Sequence, residues 1–263
     1  MKKIIQNAFN KVGLNITRHV ADINQKKSVK TDRLSYYETS TGNYYLPTDA
    51  VNDEIALAIK GNTVFDENVV NLASKFIKAG STVLDVGCNF GQMSILYATM
   101  VGENGHVHSF DADDFVYSVA VKNFKANNKD GVIVPHFGAV HDVDGEVLFF
   151  PVQDFEKYQT YGSHGVDYTA KNGREVKSIT IDSLNIQDPI SFMKIDIEGG
   201  DLKALKGAIN TINRNRMPIL FEYQYVFEEK YNLCFQDYVD FVNSIDYKFS
   251  KVVDACNFLI LPK

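Results

Sequence analysis

"STVLDVGCNFGQMS", residues 81–94, decides the fold. Its first half is an apolar run that ends at Asp85, and its second half carries Gly87 and Gly91 through a tight turn before helix-forming residues resume. Open α/β sheets present nucleotide-like cofactors in this way, at the carboxyl ends of their strands. Glycine permits positive φ and lets the backbone come close to a ligand, because no Cβ intervenes. The spacing is D-x-G-x-N-x-G rather than G-x-G-x-x-G, and by itself it is a weak signal.

The next apolar run strengthens it. "VHSFDADD" (107–114) places Asp111 about twenty residues beyond the turn, where a carboxylate accepts both ribose hydroxyls of an adenosine cofactor; alone, Asp111 would equally serve as a helix N-cap. No GxxxxGK[ST] is present, and Asp85 just before the glycines would repel a pyrophosphate. The ammonium of a methionine tail suits that carboxylate better.

Around these two runs, "VIVPHFGAV", "FMKIDIEGG" and "PILFEYQ" alternate with amphipathic segments, which predicts a parallel sheet covered by helices on both faces. "GEVLFFPV" and "VKSITID" read as extra strands, and the polar, glycine-bearing residues 153–175 between them read as a binding loop. "YKFSKVV" and "NFLILPK" predict an antiparallel pair at a sheet edge. Upstream, "TGNYYLPTDAVNDEIALAIKGN" reads as a short strand, a turn and a helix from Asp49 to Lys60; a second helix follows from Asp66 toward Gly80. Residues 22–35 read as a linker, and Ile4, Ile5, Ala8, Phe9 and Val12 recur at helical spacing. The expected division is a helical, substrate-capping segment over 1–64 and a cofactor-binding domain over 65–263.

A net charge of −6, with no dense block of Lys and Arg, argues against nucleic acid as a partner. Cys88, Cys234 and Cys256 lack CxxC spacing, which predicts a reducing compartment, the cytoplasm. Neither a signal-peptide h-region nor a run of about 18 apolar residues occurs, so no transmembrane segment is expected. The amphipathic start packs on its own domain or touches a membrane surface or a partner, and a homo-oligomer is left open.

"VLDVGCNFGQ", "SFDADD", "FGAV", "ITIDSL", "MKIDIEGGDLKALKGA" and "PILFEYQ" follow one another in an order by which the chain resembles the FkbM-like family of S-adenosylmethionine-dependent methyltransferases, over roughly Phe65 to Lys263. The resemblance implies an α/β, Rossmann-like class I methyltransferase fold, with a seven-stranded sheet and a reversed final hairpin. It implies O-methylation and, from likeness to members encoded with capsule or lipopolysaccharide pathways, a sugar or nucleotide-sugar acceptor. Carried over residue by residue, it implies Asp85, Gly87, Cys88, Asn89 and Gly91 around the methionine part of S-adenosylmethionine, Asp111 on the ribose, and Ala112, Gly138 and Ala139 near adenine. Cys88 stands where a small residue is more usual, and Asp111 where Glu is.

A sugar hydroxyl is too weakly acidic to ionise at neutral pH, so the site needs a general base, a metal, or both. Lys194, Asp196 and Glu198 alternate along "FMKIDIEGGD", and Glu222 and Gln224 end the neighbouring run. Asp196, Glu222 and Gln224 form a hard-oxygen set suited to Mg²⁺ or Mn²⁺, while Lys194 with Asp196 reads equally as a buried ion pair. His164, inside the irregular segment, is the histidine best placed to act as base. Candidate catalytic residues are therefore Asp196, Glu198, Glu222 and His164. A polyketide or other secondary-metabolite hydroxyl remains an alternative acceptor, and a catalytically silent binding module remains an alternative role. Nucleobase N-methylation is disfavoured, because no [DN]-PP-[YF] motif is present.

Overall fold

The computed structural model describes residues 34–152, 159–253 and 256–263. The amphipathic start, most of the expected linker and residues 153–158 of the long loop lie outside the described residues.

The sheet grows from β3 (Thr82–Val86), every residue of which is buried. Alternation explains this: Val83 faces one hydrophobic cluster, Leu84 and Val86 the other. β4 (His106–Asp111) and β5 (Ile133–Phe137) add in parallel on one side, β9 (Ile190–Ile195) and β10 (Ile219–Glu222) on the other. β12 (Asn257–Pro262) pairs antiparallel with both β10 and β11 (Tyr247–Val252), which gives the order β11-β12-β10-β9-β3-β4-β5. The final strand thus inserts inside the one before it, which is the reversed hairpin expected of a class I methyltransferase fold. One consequence governs the site: the parallel strands end side by side, so Asp111, the 86–91 turn, the 196–200 turn and Glu222 meet at one edge.

β1 (Leu34–Thr39) and β2 (Gly42–Pro47) form a hairpin; β1 begins inside the stretch read as a linker. Tyr44 and Leu46 are buried in the same cluster as Val83 and Phe90. Asn123 of the helix Asp114–Ala126 and Asn127, which caps its C-terminus, fasten the hairpin by accepting from the Tyr45 and Asn43 amides at 2.6 and 2.8 Å. The helix expected from Asp49 starts at Glu54 instead, because the Asp53 carboxylate caps the Ala56 amide. The helix expected to reach Gly80 runs only over Glu67–Ala73 before giving way to turns. "VIVPHFGAV" breaks at Gly138: β6 (Ala139–Val140) leaves the main sheet and joins β8 (Arg174–Ile179), which pairs with β7 (Val147–Phe150). Both extra strands are therefore present, in a small sheet of their own.

Candidate active site

Three residues of the 87–91 turn have positive φ: Gly87 (84°), Asn89 (48°) and Gly91 (85°). The two glycines are demanded by neighbours as well as by dihedral angle. A Cβ on Gly87 would lie 1.9 Å from the Asp196 carbonyl oxygen, and one on Gly91 2.4 Å from the Phe124 ring. Asn89 tolerates the left-handed region, and its side chain accepts from the Phe90 amide at 2.7 Å.

Asp111 receives that turn: its Oδ2 accepts from the Asn89 amide at 3.0 Å and its Oδ1 from the Asp113 amide at 2.9 Å. Capping of the following helix falls to Asp113, which accepts from the Phe115 and Val116 amides, so Asp111 is not the cap. Burial pushes the Asp111 carboxyl up to about 7. Each of its oxygens accepts one backbone donor and has capacity for a second, as a pair of ribose hydroxyls requires.

Asp85 is fully buried; Ser94 donates to its Oδ2 at 2.5 Å, whereas Oδ1 has no hydrogen bond and lies 4.0 Å from the Lys194 ammonium. Burial raises its pKa. This unsatisfied buried oxygen is what an incoming ammonium would meet.

One cavity connects these groups. Asp85, Gly87, Cys88, Asn89, Asp111, Ala112, Gly138 and Ala139 all line it, as do His164, Asp196 and Glu198. Gly91, Glu222 and Gln224 do not. Gly91 instead faces the Phe124 ring.

Asp196 and Glu198 in this lining meet a third acid, Glu222, outside it. Asp196, Glu198 and Glu222 each bring a carboxylate oxygen within 4.8 Å of the other two. The alternation read from sequence does not carry Glu198 there, because β9 stops at Ile195; Glu198 sits in the following turn at φ 55°. Gln224 donates its amide to Glu222 Oε2. Burial, then the charges of Asp196, Glu198 and Asp201, raise the Glu222 pKa well above the ordinary carboxylate value.

Lys194 is the buried cation among them, 3.2 Å from Asp196 and donating to the Gly87 carbonyl at 3.2 Å. Burial pulls its pKa down, but Asp196 and Asp85 outweigh that, so it ends raised and charged. The ion-pair reading of Lys194 with Asp196 therefore holds, and the pair ties the two turns together.

His164 is held inside the cavity, where burial lowers it to about 4 and keeps it neutral at pH 7. The loop before it is latched from afar: Asp53 Oδ2 accepts from the Tyr161 and Gly162 amides at 2.8 and 3.0 Å. Arg174 forks onto Asp113 and Asp114 while its guanidinium lies 4.8 Å from the Phe150 ring centre.

With this geometry in place, the sequence matches are specific. The model of the FkbM methyltransferase domain matches residues 85–249, more than half of the chain. The chain belongs to the FkbM methyltransferase family. A second model, that of protein-L-isoaspartate(D-aspartate) O-methyltransferase, matches residues 2–149 and overlaps the first across β3 to β7. Ribosomal protein L11 methyltransferases of Thermotoga petrophila and Thermotoga maritima are 30% identical over 121 residues, 43% of this chain and 45% of theirs. The chain thus spans less than half the length of those curated relatives. Among solved structures, methyltransferase FkbM from Methylobacillus flagellatus KT is 17% identical, covering 73% of this chain and 49% of that one at a TM-score of 0.45. A SAM-dependent O-methyltransferase from Thermotoga maritima is 11% identical, covering 86% and 84% at 0.45.

In this member of the FkbM methyltransferase family the sequence reading missed Asp113, which lines the cavity, and Asp53 and Arg174, which hold residues around it. "NDE" at 52–54 and "DADD" carry capping signals for the first two, but no local pattern marks Arg174, whose partners are 60 and 61 residues away. Tyr36, Tyr37, Tyr44 and Tyr45 do not line the cavity; Tyr36 packs on Tyr45 across the hairpin, their ring centres 5.1 Å apart. Among the described residues no helix is long and apolar enough to cross a membrane.

Proposed function

We propose that the chain transfers the methyl group of S-adenosylmethionine to a hydroxyl of a sugar or nucleotide-activated sugar in capsule or lipopolysaccharide synthesis, acting in the cytoplasm. The observation that carries this reading is that Asp196 and Glu198 line the same cavity as Asp111, with a Glu222 carboxylate oxygen behind them within 4.8 Å of both. S-adenosylmethionine supplies an electrophilic methyl on sulfur. The protein has two tasks left, alignment and removal of a proton.

Asp111 takes the ribose hydroxyls, and Asp85 Oδ1 together with the turn takes the methionine ammonium. Ala112, Gly138 and Ala139 supply the small wall beside adenine. Cys88, whose thiol burial keeps well above its ordinary pKa, is protonated and serves only as packing.

Glu222 is the better proton acceptor, because burial and neighbouring acids raise its basicity, whereas burial makes His164 a weak base. His164 then accepts a hydrogen bond from the acceptor sugar and orients it. Glu198 is held in the left-handed region, a strain on the order of 1–3 kcal/mol of the kind that collects at functional sites.

The same three acids suit Mg²⁺ or Mn²⁺, with Gln224 holding Glu222 in place through its amide. A divalent ion there would lower the hydroxyl pKa and offset the mutual repulsion of the acids. Activity with nucleotide sugars, measured with and without EDTA, separates the two: insensitivity to EDTA assigns the proton to Glu222 alone. No turnover of any sugar hydroxyl, alongside turnover of a secondary-metabolite alcohol or of a protein, overturns the acceptor.

A further inference from the structure

A second cavity lies on the other side of the Glu198–Gly199 peptide. Lys203, Lys206 and Lys230 line it together with Tyr168, Tyr231 and Gly199. Tyr168 also lines the first cavity, as does Glu198, so a single ring and a single peptide form a wall common to both.

The chemistry of this groove is opposite to that of the acid cluster next to it. Lys203 lies 3.5 Å from Asp142, which also faces His141 Nδ1 at 2.8 Å; Lys230 lies 3.0 Å from Asp167. Lys206 is exposed and makes no ion pair among the described residues. The lining of the groove thus carries three ammonium groups against the single carboxylate of Asp142, with Asp167 and Asp237 outside the lining facing Lys230 and Lys206, on a chain whose net charge is −6. Its aromatic floor is fixed: Tyr168 and Tyr231 pack edge to face with centroids 5.1 Å apart, and the Tyr231 hydroxyl donates to the Val166 carbonyl at 3.1 Å. Lys203 and Lys230 lie 5.5 and 5.2 Å from the Tyr168 and Tyr231 ring centres. Ammonium groups around a ring face are the donor set for a phosphate ester attached to a planar or sugar ring.

We infer that this groove binds the phosphate of the acceptor, so that the hydroxyl enters beside Glu198 while the phosphate is held beyond Tyr168. The inference rests on the sugar-hydroxyl reading above and narrows it from free sugars to phosphate-bearing, nucleotide-activated ones. It also explains how an anionic acceptor approaches a cluster of acids: its charge is placed on the other side of the wall.

Calorimetric titrations of the full chain with uridine diphosphate, inorganic pyrophosphate and a short RNA, each in the presence of S-adenosylhomocysteine, test it. The expected result is that uridine diphosphate binds more tightly than pyrophosphate, and that Lys203→Glu with Lys206→Glu weakens it about tenfold or more. S-adenosylhomocysteine binding, unchanged in the double variant, reports that the fold is intact. Uridine diphosphate that fails to bind, binds the double variant equally well, or binds no better than pyrophosphate overturns the inference and leaves methyl transfer standing. RNA binding that the lysine variants abolish overturns it in favour of a nucleic-acid acceptor. Loss of S-adenosylhomocysteine binding by the unmodified chain overturns the underlying reading and the inference with it.

Discussion

Two turns leave the same edge of the sheet, one after β3 at 86–91 and one after β9 at 196–200. They are locked together: the Asp196 amide donates to the Val86 carbonyl at 3.0 Å, and Lys194 donates to Gly87. Yet they are built differently. The first puts glycine or asparagine at every positive φ, residues that adopt it at little cost. The second puts Glu198 at φ 55° before Gly199 at 90°, and so spends strain to bring a carboxylate to Asp196 and Glu222. Under the proposed function, the turn assigned to a donor shared by many reactions is relaxed and local, and the turn assigned to the acceptor side is shaped by groups from several strands.

The sharpest way to break the pairing of the turns is Gly87→Ala. The added methyl meets the Asp196 carbonyl and requires positive φ from alanine, so a loss of roughly 2–5 kcal/mol in stability is expected from urea unfolding. A loss under about 0.5 kcal/mol would mean that the turns are not in contact. Glu222→Gln separates proton removal from donor binding: the turnover rate falls about 10²–10⁴-fold while S-adenosylhomocysteine affinity is kept. Equal loss of both would place Glu222 in donor binding.

Asp53→Ala frees the loop that closes over the cavity, removing acceptors for the Tyr161 and Gly162 amides. Donor affinity is expected to fall about tenfold, with faster proteolysis near residue 160 as the companion readout.

A pH-dependent effect concerns Asp201, buried beneath the second turn with Oδ2 lacking a hydrogen bond. Burial, then the charge of Asp196, pushes it from 3.8 to about 7. The folded chain therefore holds a proton that the unfolded chain releases, and the stability linked to this group is present below about pH 4 and lost as pH rises through 7. Asparagine has nothing to ionise. Asp201→Asn is thus expected to raise Tm more at pH 8 than at pH 5, by roughly 2–4 °C for each kcal/mol recovered; the reverse order would contradict the burial argument.

The contrast between the turns also marks how far the sequence could be read. β3, its glycine turn and Asp111 were legible because dihedral demand and strand patterning are local, and the terminal hairpin was legible from two apolar runs. Glu198 was expected beside Asp196 on strand alternation, but a left-handed turn brings it there, and nothing in "IEGGD" distinguishes the two. β1 was hidden in a polar stretch because its partner β2, and the asparagines that clamp the pair some 80 residues away, supply what its own residues lack. Arg174 and the lysine groove were invisible for the same reason: each is assembled from segments distant in the chain.

The most direct test of the account is calorimetric titration with S-adenosylhomocysteine of the unmodified chain and of Asp111→Ala. The account predicts binding at micromolar levels that the substitution weakens at least about tenfold, since a buried carboxylate that accepts both ribose hydroxyls is lost. Binding that Asp111→Ala leaves unchanged, or no binding to the unmodified chain, would contradict the assignment of this cavity to the methyl donor.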